Sequence, residues 1–332
     1  MHLTDQTRPV CYAQMCRVAP IRLLRQKLSS RTIHQLKPPG SNVPRGPCTR
    51  PTIRTLPLRY IQKPATMVTT TATQTTAQTV GTVRITAENM QRLFPEINTS
   101  LRESVARSSE LEGYDAEQVR LMDEVCIVLD EDDKPIGSAS KKTCHLMANI
   151  DKGLLHRAFS VFLFDPEGRL LLQQRADEKI TFPGLWTNTC CSHPLGIPGE
   201  TGDTLEAAIV GVRRAAQRKL DQELGIPAKQ VPLDDFEFLT RIHYKAPSNG
   251  IWGEHEIDYI LFIQTTVDLA PNPNEVKDTK YVTADELKEM FQDPALSFTP
   301  WFKLICETML FEWWGSLKDL SKYANEQDIR RM

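Results

Sequence analysis

In the segment Trp186-Thr187-Asn188-Thr189-Cys190-Cys191-Ser192-His193-Pro194 a thiol stands two residues from an imidazole. Side chains at i and i+2 of a strand share a face, so Cys191 and His193 point together wherever this stretch is extended. Neighbouring cysteines rarely bond to each other because the geometry is strained, so one of the pair should point inward and the other outward. Spacing alone leaves open which of the two reacts. The segment reads as the reacting centre of a metal-dependent enzyme.

The same alternation applies to Gly253-Glu254-His255-Glu256-Ile257, where Glu254 and Glu256 share a face at the mouth of an apolar strand and His255 turns away. Two carboxylates held side by side repel, and a metal ion is a common reason to hold them so. Taken alone, a solvated acidic loop is the simpler account. His145 and His156 flank a short loop, with Lys141, Lys142 and Lys152 close by. Three histidines and two glutamates at strand ends would make a mixed nitrogen and oxygen site suited to Mn²⁺, Mg²⁺ or Zn²⁺. Arg175 and Lys179 precede Phe182-Pro183-Gly184-Leu185-Trp186 and lead into the cysteine segment. Arg offers bidentate geometry and Lys a point charge, the combination that clamps a diphosphate. Arg213, Arg214, Arg218 and Lys219 form a second basic group that a solvated helix face would also explain.

These side chains need elements to position them. Val125–Leu129 reads as a buried strand that resumes at Ile136-Gly137-Ser138, and Thr86 can cap a short helix. Ala158–Phe164 and Arg169–Gln174 read as strands joined by the turn Asp165-Pro166-Glu167-Gly168. From Thr204 to Leu224, the residues Leu205, Ile209, Val212, Ala216 and Leu220 recur on one helical face, and Gly225 ends the run. Strands follow at Phe236–Tyr244 and Ile257–Thr265, then helices at Asp285–Phe291 and Trp301–Trp314. Strands on both sides of one long helix indicate a mixed α/β or α+β domain. Neither a dinucleotide fingerprint nor a P-loop is present.

With 40% hydrophobic and 25% charged residues, the 332-residue chain has ordinary globular usage and no apolar run near the roughly 18 residues of a membrane span. Residues 1–66 hold 12 Lys and Arg but a single acid, Asp5, so the rest is strongly acidic and unsuited to general nucleic-acid binding. The basic extension has the bias of a mitochondrial transit peptide, although an extension without an address fits equally. Met67 offers a second start, and a Thr-rich disordered linker over 67–85 leads into a catalytic domain expected over 86–332. Eight scattered cysteines without a Cys-x-x-Cys pair point to a reducing compartment.

Taken in order, these residues resemble the type I isopentenyl-diphosphate Δ-isomerases, which have a Nudix-like fold. The resemblance runs through Ile136–His145, Leu155–Ser160, Trp186–His193, Tyr244-Lys245-Ala246, Gly253–Glu256 and Ser297–Trp301, and spans roughly 85–320. It implies a single domain in which helices sandwich a mixed sheet. It implies Cys191 and Glu256 as the proton-handling groups and His145, His156, His193, Glu254 and Glu256 as ligands of one divalent metal. Glu223 would help to hold a second Mg²⁺ that travels with the substrate diphosphate, and Lys141, Arg175, Lys179 and Lys219 would contact the phosphates.

The implied reaction moves a double bond from C3–C4 to C2–C3, adding a proton at C4 and removing one at C2. The tertiary cation this creates needs a dry pocket. Two proton-carrying groups must flank the allylic unit. Trp301 could face the cation and Tyr244 could orient a proton. The resemblance further implies a cytoplasmic, monomeric enzyme of isoprenoid and sterol precursor synthesis, with no nucleic-acid or membrane partner and a mitochondrial form if the extension is an address.

Two rivals are set against this. A Nudix hydrolase needs Arg-Glu-x-x-Glu-Glu-x-Gly, but this chain reads Arg218-Lys219-Leu220-Asp221-Gln222-Glu223-Leu224-Gly225, with Lys219 and Gln222 in place of two carboxylates. A non-catalytic metal-binding module would explain the histidines but not why Cys191, Arg175 and Lys179 should converge.

Overall fold

The computed structural model describes residues 84–98 and 109–332; the expectations for 1–66 and for most of the linker over 67–85 lie outside them. The elements run α1 (Ala87–Leu93), α2 (Ala116–Leu121), β1 (Val125–Leu129), β2 (Pro135–Ser140), α3 (Lys141–His145), α4 (Met147–Ile150), β3 (Leu155–Phe164), β4 (Leu170–Arg175), β5 (Trp186–Thr187) and β6 (Cys190–Ser192). They continue with α5 (Leu205–Leu224), β7 (Glu237–Pro247), β8 (Gly253–Gln264), β9 (Val276–Val282), α6 (Ala284–Met290), α7 (Pro300–Ile305), a π-helical turn (Cys306–Leu310), α8 (Phe311–Trp314) and β10 (Ile329–Arg331).

These strands form one mixed sheet whose main path is β10-β7-β8-β3-β1-β2. At its centre β3 is buried along its whole length, as expected of an apolar strand covered on both faces. One edge of β3 pairs in parallel with β8. The other edge is shared by three strands: β1 at His156, β6 around Ser160 and β4 at Phe164. That sharing brings residues distant in sequence to the first half of β3.

Alternation sorts the side chains to two cores. Val161, Leu163, Ile257, Tyr259 and Leu261 pack against Val212, Ala216 and Leu220 of α5. On the opposite face Phe162, Phe164, Ile260 and Phe262 pack against Phe302, Leu310 and Trp313 of the C-terminal helices. Each buried Val, Leu, Ile or Phe among them contributes about 1.5–3 kcal/mol relative to exposure. The face expected for α5 is the buried one, apart from the partly buried Leu205. Thr204 caps its start, and Gly225 ends it in the left-handed region at φ 65°, where a Cβ would meet the Ala270 carbonyl oxygen at 2.5 Å.

Three local expectations are corrected. The turn at 165–168 joins β3 and β4, but they pair only at Phe164 and Leu170: further along, that edge of β4 takes β5, and its other edge takes β9, a strand the sequence pattern did not reveal. Between His145 and His156 lies α4 rather than a plain loop, held to α3 by Asn149 Nδ2 donating to the Thr143 carbonyl at 2.9 Å. One turn is too short to show a period. The helix expected over Trp301–Trp314 is interrupted by the π-helical turn.

Candidate active site

Register explains how the site is assembled. The parallel pairing of β3 with β8 sets His156 opposite Glu256, and the antiparallel pairing of β7 with β8 sets Tyr244 opposite the same residue. Glu254 lies two residues earlier on the same face. On the other edge of β3, Ser160 pairs with Cys191, which places His193 just beyond. His145 arrives from the end of α3, whose N-cap Ser140 accepts from Thr143 N at 3.2 Å.

His145, His156, His193, Glu254 and Glu256 are all buried, and one ligand atom from each lies within 4.8 Å of the others. The three imidazole centroids are 4.8 to 4.9 Å apart. His145 Nδ1 donates to the Lys141 carbonyl at 2.6 Å, and since a carbonyl only accepts, Nε2 is left free to ligate. His145 Nε2 and Glu254 Oε2 are 2.8 Å apart, yet neither makes a hydrogen bond, and His156 Nε2 is also without one. Buried polar atoms that converge without satisfying one another are what a shared cation would satisfy.

The electrostatics agree. Burial, with a contribution from Lys141, lowers His145 to about 4, and burial holds His193 well below its ordinary value. Both imidazoles are thereby held neutral, the form able to ligate a metal. Burial and the charge of Glu256 push Glu254 well up, so this pair of carboxylates calls for a proton or a cation. At Glu256 burial pushes upward too, but the close imidazoles of His156 and His193 outweigh it and hold the carboxyl well below the usual range. The donor set fits a divalent metal.

Cys190 and Cys191 separate to opposite faces. Cys190 is wholly buried in the core under α5, whereas Cys191 reaches the cavity. The Cys191 thiol donates to Asn188 Oδ1 at 2.8 Å, and Trp301 Nε1 donates to its sulfur at 3.0 Å. Burial, with the charge of Asp258 adding, pushes this thiol up to about 12. It is a proton-bearing group rather than a thiolate nucleophile. Tyr244 Oη donates to Glu256 Oε2 at 2.5 Å.

Lys141, Arg175, Lys179, Glu223 and Trp301 line the same cavity as Cys191, Tyr244 and the ligand cluster except His156, which stands behind it. Lys219 is the exception among the expected basic residues: it is 1% exposed and, one helical turn from Glu223, pairs with it at 3.2 Å. Arg175 donates to the backbone carbonyls of Thr181 and Phe182 at 2.8 and 3.0 Å and so also shapes the wall. The cavity holds about 30 Å³ of free space, room for roughly one water.

Some functional neighbours were not read from the sequence. Asn188 orients Cys191, and its amide donates to the Val161 and Cys190 carbonyls at 3.0 and 3.2 Å. Ser160 donates to Asp258 at 2.8 Å and lies 3.7 Å from the Cys191 sulfur. Thr181 and Ser192 join the lining. The one available signal was the polar run Thr187-Asn188-Thr189 between apolar stretches, and all three prove wholly buried.

The NUDIX domain family matches residues 154–302. The isopentenyl-diphosphate delta-isomerase of Aspergillus fumigatus is 71% identical over 268 residues, covering 75% of this chain and 96% of the relative. That of Gibberella zeae is 70% identical over 258 residues, covering 77% and 99%. A relative from Mus musculus, isopentenyl-diphosphate Delta-isomerase 1, is 53% identical over 242 residues, covering 72% and 100%.

Proposed function

As the chain belongs to the isopentenyl-diphosphate delta-isomerases, and so converts isopentenyl diphosphate to dimethylallyl diphosphate, we propose that Cys191 and Glu256 carry the two protons. The observation that carries this reading is that both line one cavity, each oriented by its own partners: Asn188 and Trp301 for the thiol, Tyr244 for the carboxylate. A double-bond shift needs one group to give a proton and another to take one across the allylic unit. Trp301 and the apolar side of the cavity keep water from the developing tertiary cation, and the indole ring can stabilise it.

The His145, His156, His193, Glu254 and Glu256 cluster would hold Mg²⁺, Mn²⁺ or Zn²⁺. A cation bound there supplies the positive charge that keeps both carboxylates ionised and fixes their orientation. Glu223 is suited to a Mg²⁺ that arrives with the diphosphate, and Lys141, Arg175 and Lys179 to the phosphate oxygens. Lys219 serves this corner through Glu223.

The buried Lys219–Glu223 pair also argues against hydrolysis. An ammonium sits where a hydrolase needs one metal-binding carboxylate and Gln222 where it needs another, which leaves Glu223 alone of the three. Incubating the purified chain with isopentenyl diphosphate and Mg²⁺ tests the reading. Dimethylallyl diphosphate is the expected product. Release of inorganic phosphate would instead favour the hydrolase, and no turnover the binding module.

We further propose a cytoplasmic monomer, with residues 1–66 directing a mitochondrial form. No described helix is long and apolar enough to cross a membrane. Mapping the native N-terminus separates a start near Met67 from the extended form, and the molar mass in solution tests the monomer.

A further inference from the structure

Lys179 is not free in its cavity. Its ammonium is paired with Glu275, a carboxylate only 2% exposed that lies just before β9. Nothing in the proposed chemistry uses an acid at this place, and an anion beside a diphosphate-binding lysine at first looks counterproductive. The second oxygen, Glu275 Oε1, is buried without a hydrogen-bond partner.

The backbone around Glu275 explains the placement. Ala176 N donates to the Glu275 carbonyl at 3.0 Å, and the register shift between Gln174 and Arg175 in the β4–β9 pairing falls beside it. Asn272 N donates to the Glu223 carbonyl at 2.9 Å, and Glu275 N to the Asn272 carbonyl at 2.9 Å. On the outer side, Gln118 Nε2 donates to the Asn274 carbonyl at 3.0 Å. The turn 272–276 therefore ties the end of α5, which carries Glu223, to the segment that carries Arg175 and Lys179.

We propose that Glu275 is a positioning residue for the diphosphate corner: it holds the Lys179 amine in place and keeps it protonated until the phosphates arrive. This rests on the isomerase reading above. The groups facing Lys179 make the need clear. Arg175 and Lys141 disfavour its charge, while Glu275 and the more distant Glu223 favour it. The charges of Lys219 and Lys141 also act on Glu275. Burial opposes the charge of Glu275, but Lys179 and Lys219 outweigh it and hold the carboxyl at about 2, whereas at Lys179 burial wins over the same attraction. Burial thus works against the Lys179 ammonium, and Glu275 is the nearest group that supports it.

The test is KM for isopentenyl diphosphate as a function of pH, from about pH 6 to 9, in the wild type, Glu275→Gln and Glu275→Asp. In Glu275→Gln the Lys179 amine loses its counter-ion, so KM should climb by about tenfold toward high pH while wild-type KM stays nearly flat, the change falling on KM rather than kcat. Glu275→Asp should restore most of the flat profile, because the long lysine side chain can follow a shorter carboxylate. Adding Lys179→Arg to Glu275→Gln should also flatten it, since a guanidinium keeps its proton in this range. Parallel KM profiles in wild type and Glu275→Gln would overturn the inference. So would uniformly tighter binding in Glu275→Gln, which would mean that Glu275 only repels the substrate. If Glu275→Gln does not fold, the same profile is read on Glu275→Ala, where a rise in KM toward high pH supports the inference and a profile parallel to wild type sinks it. Failure of the wild-type chain to form product would count against the isomerase reading instead.

Discussion

His156 and Glu256 face each other across the parallel pairing of β3 with β8, and the His156 Nε2 atom lies 3.2 Å from Glu256 Oε1. A parallel pair requires a long crossover, and here the chain between the two residues carries Arg175, Lys179, Cys191, His193, Glu223 and Tyr244. The proposed metal ligation and proton transfer would thus meet on one carboxylate, and Glu256 also accepts from His193 at 2.8 Å and from Tyr244.

A metal at this cluster should stabilise the fold as well as activity. Chelation is expected to lower the melting temperature, and readdition of Mg²⁺, Mn²⁺ or Zn²⁺ to restore it. At about 100 Kd of metal the contribution is about 2.7 kcal/mol, several degrees for a domain of this size. Calorimetry with and without chelator reads this. A melting temperature indifferent to chelator, in protein shown to contain metal beforehand, would contradict the assignment.

The two adjacent cysteines should behave oppositely. Cys191→Ala should reduce kcat by roughly 10²- to 10⁴-fold with little loss of stability, as should Glu256→Gln for the chemical step. Cys190→Ala should retain kcat but lower stability by about 1 kcal/mol, since the wholly buried Cys190 side chain packs in the core. Rates and melts on the three variants decide it, and near-normal turnover by Cys191→Ala would remove the thiol from the chemistry.

On the face away from the cavity, Asp133 is buried and accepts from Arg157 Nη2 at 2.8 Å and from Arg241 Nη1 at 2.9 Å, with Tyr259 Oη also donating. Asp133→Asn keeps the size and the tolerance for the left-handed backbone at φ 66° but leaves two buried guanidinium groups without their counter-ion. A loss of about 3–5 kcal/mol is expected in denaturant unfolding. The KM of the variant that remains folded should be unchanged, because this network lies outside the cavity lining.

Glu275 should also mark the acid stability of the protein. Its folded value, about 2, lies below its ordinary 4.5, so the stabilisation is fully present above about pH 4.5 and is lost as pH falls toward 2. Wild type and Glu275→Gln should therefore converge in stability on acidification through this window. Unfolding curves for the two proteins at pH 6, 4 and 3 give the comparison, and a constant difference between them would contradict it.

Much of the site is legible in the sequence because its logic is local. Alternation alone puts Glu254 and Glu256 on one face, sets Cys191 beside His193 and requires the two cysteines to diverge. The 3.6-residue period likewise finds the buried face of α5 and its end at Gly225. β9, β5 and β10 escape such a reading because they are short or mostly exposed and carry no strong apolar alternation; they are strands only because a partner edge is present.

By itself, then, the sequence determined which residues can do chemistry and which neighbours share a face, since both follow from side-chain type and backbone geometry over a few residues. Only the tertiary structure decided which of them meet. The register of β3 against β8 brought His156 to Glu256, and the sharing of one β3 edge brought Cys191 to Ser160. The turn at 272–276 brought Glu275 to Lys179, a contact across 96 positions that no local pattern encodes, because it depends on long-range pairing of strands.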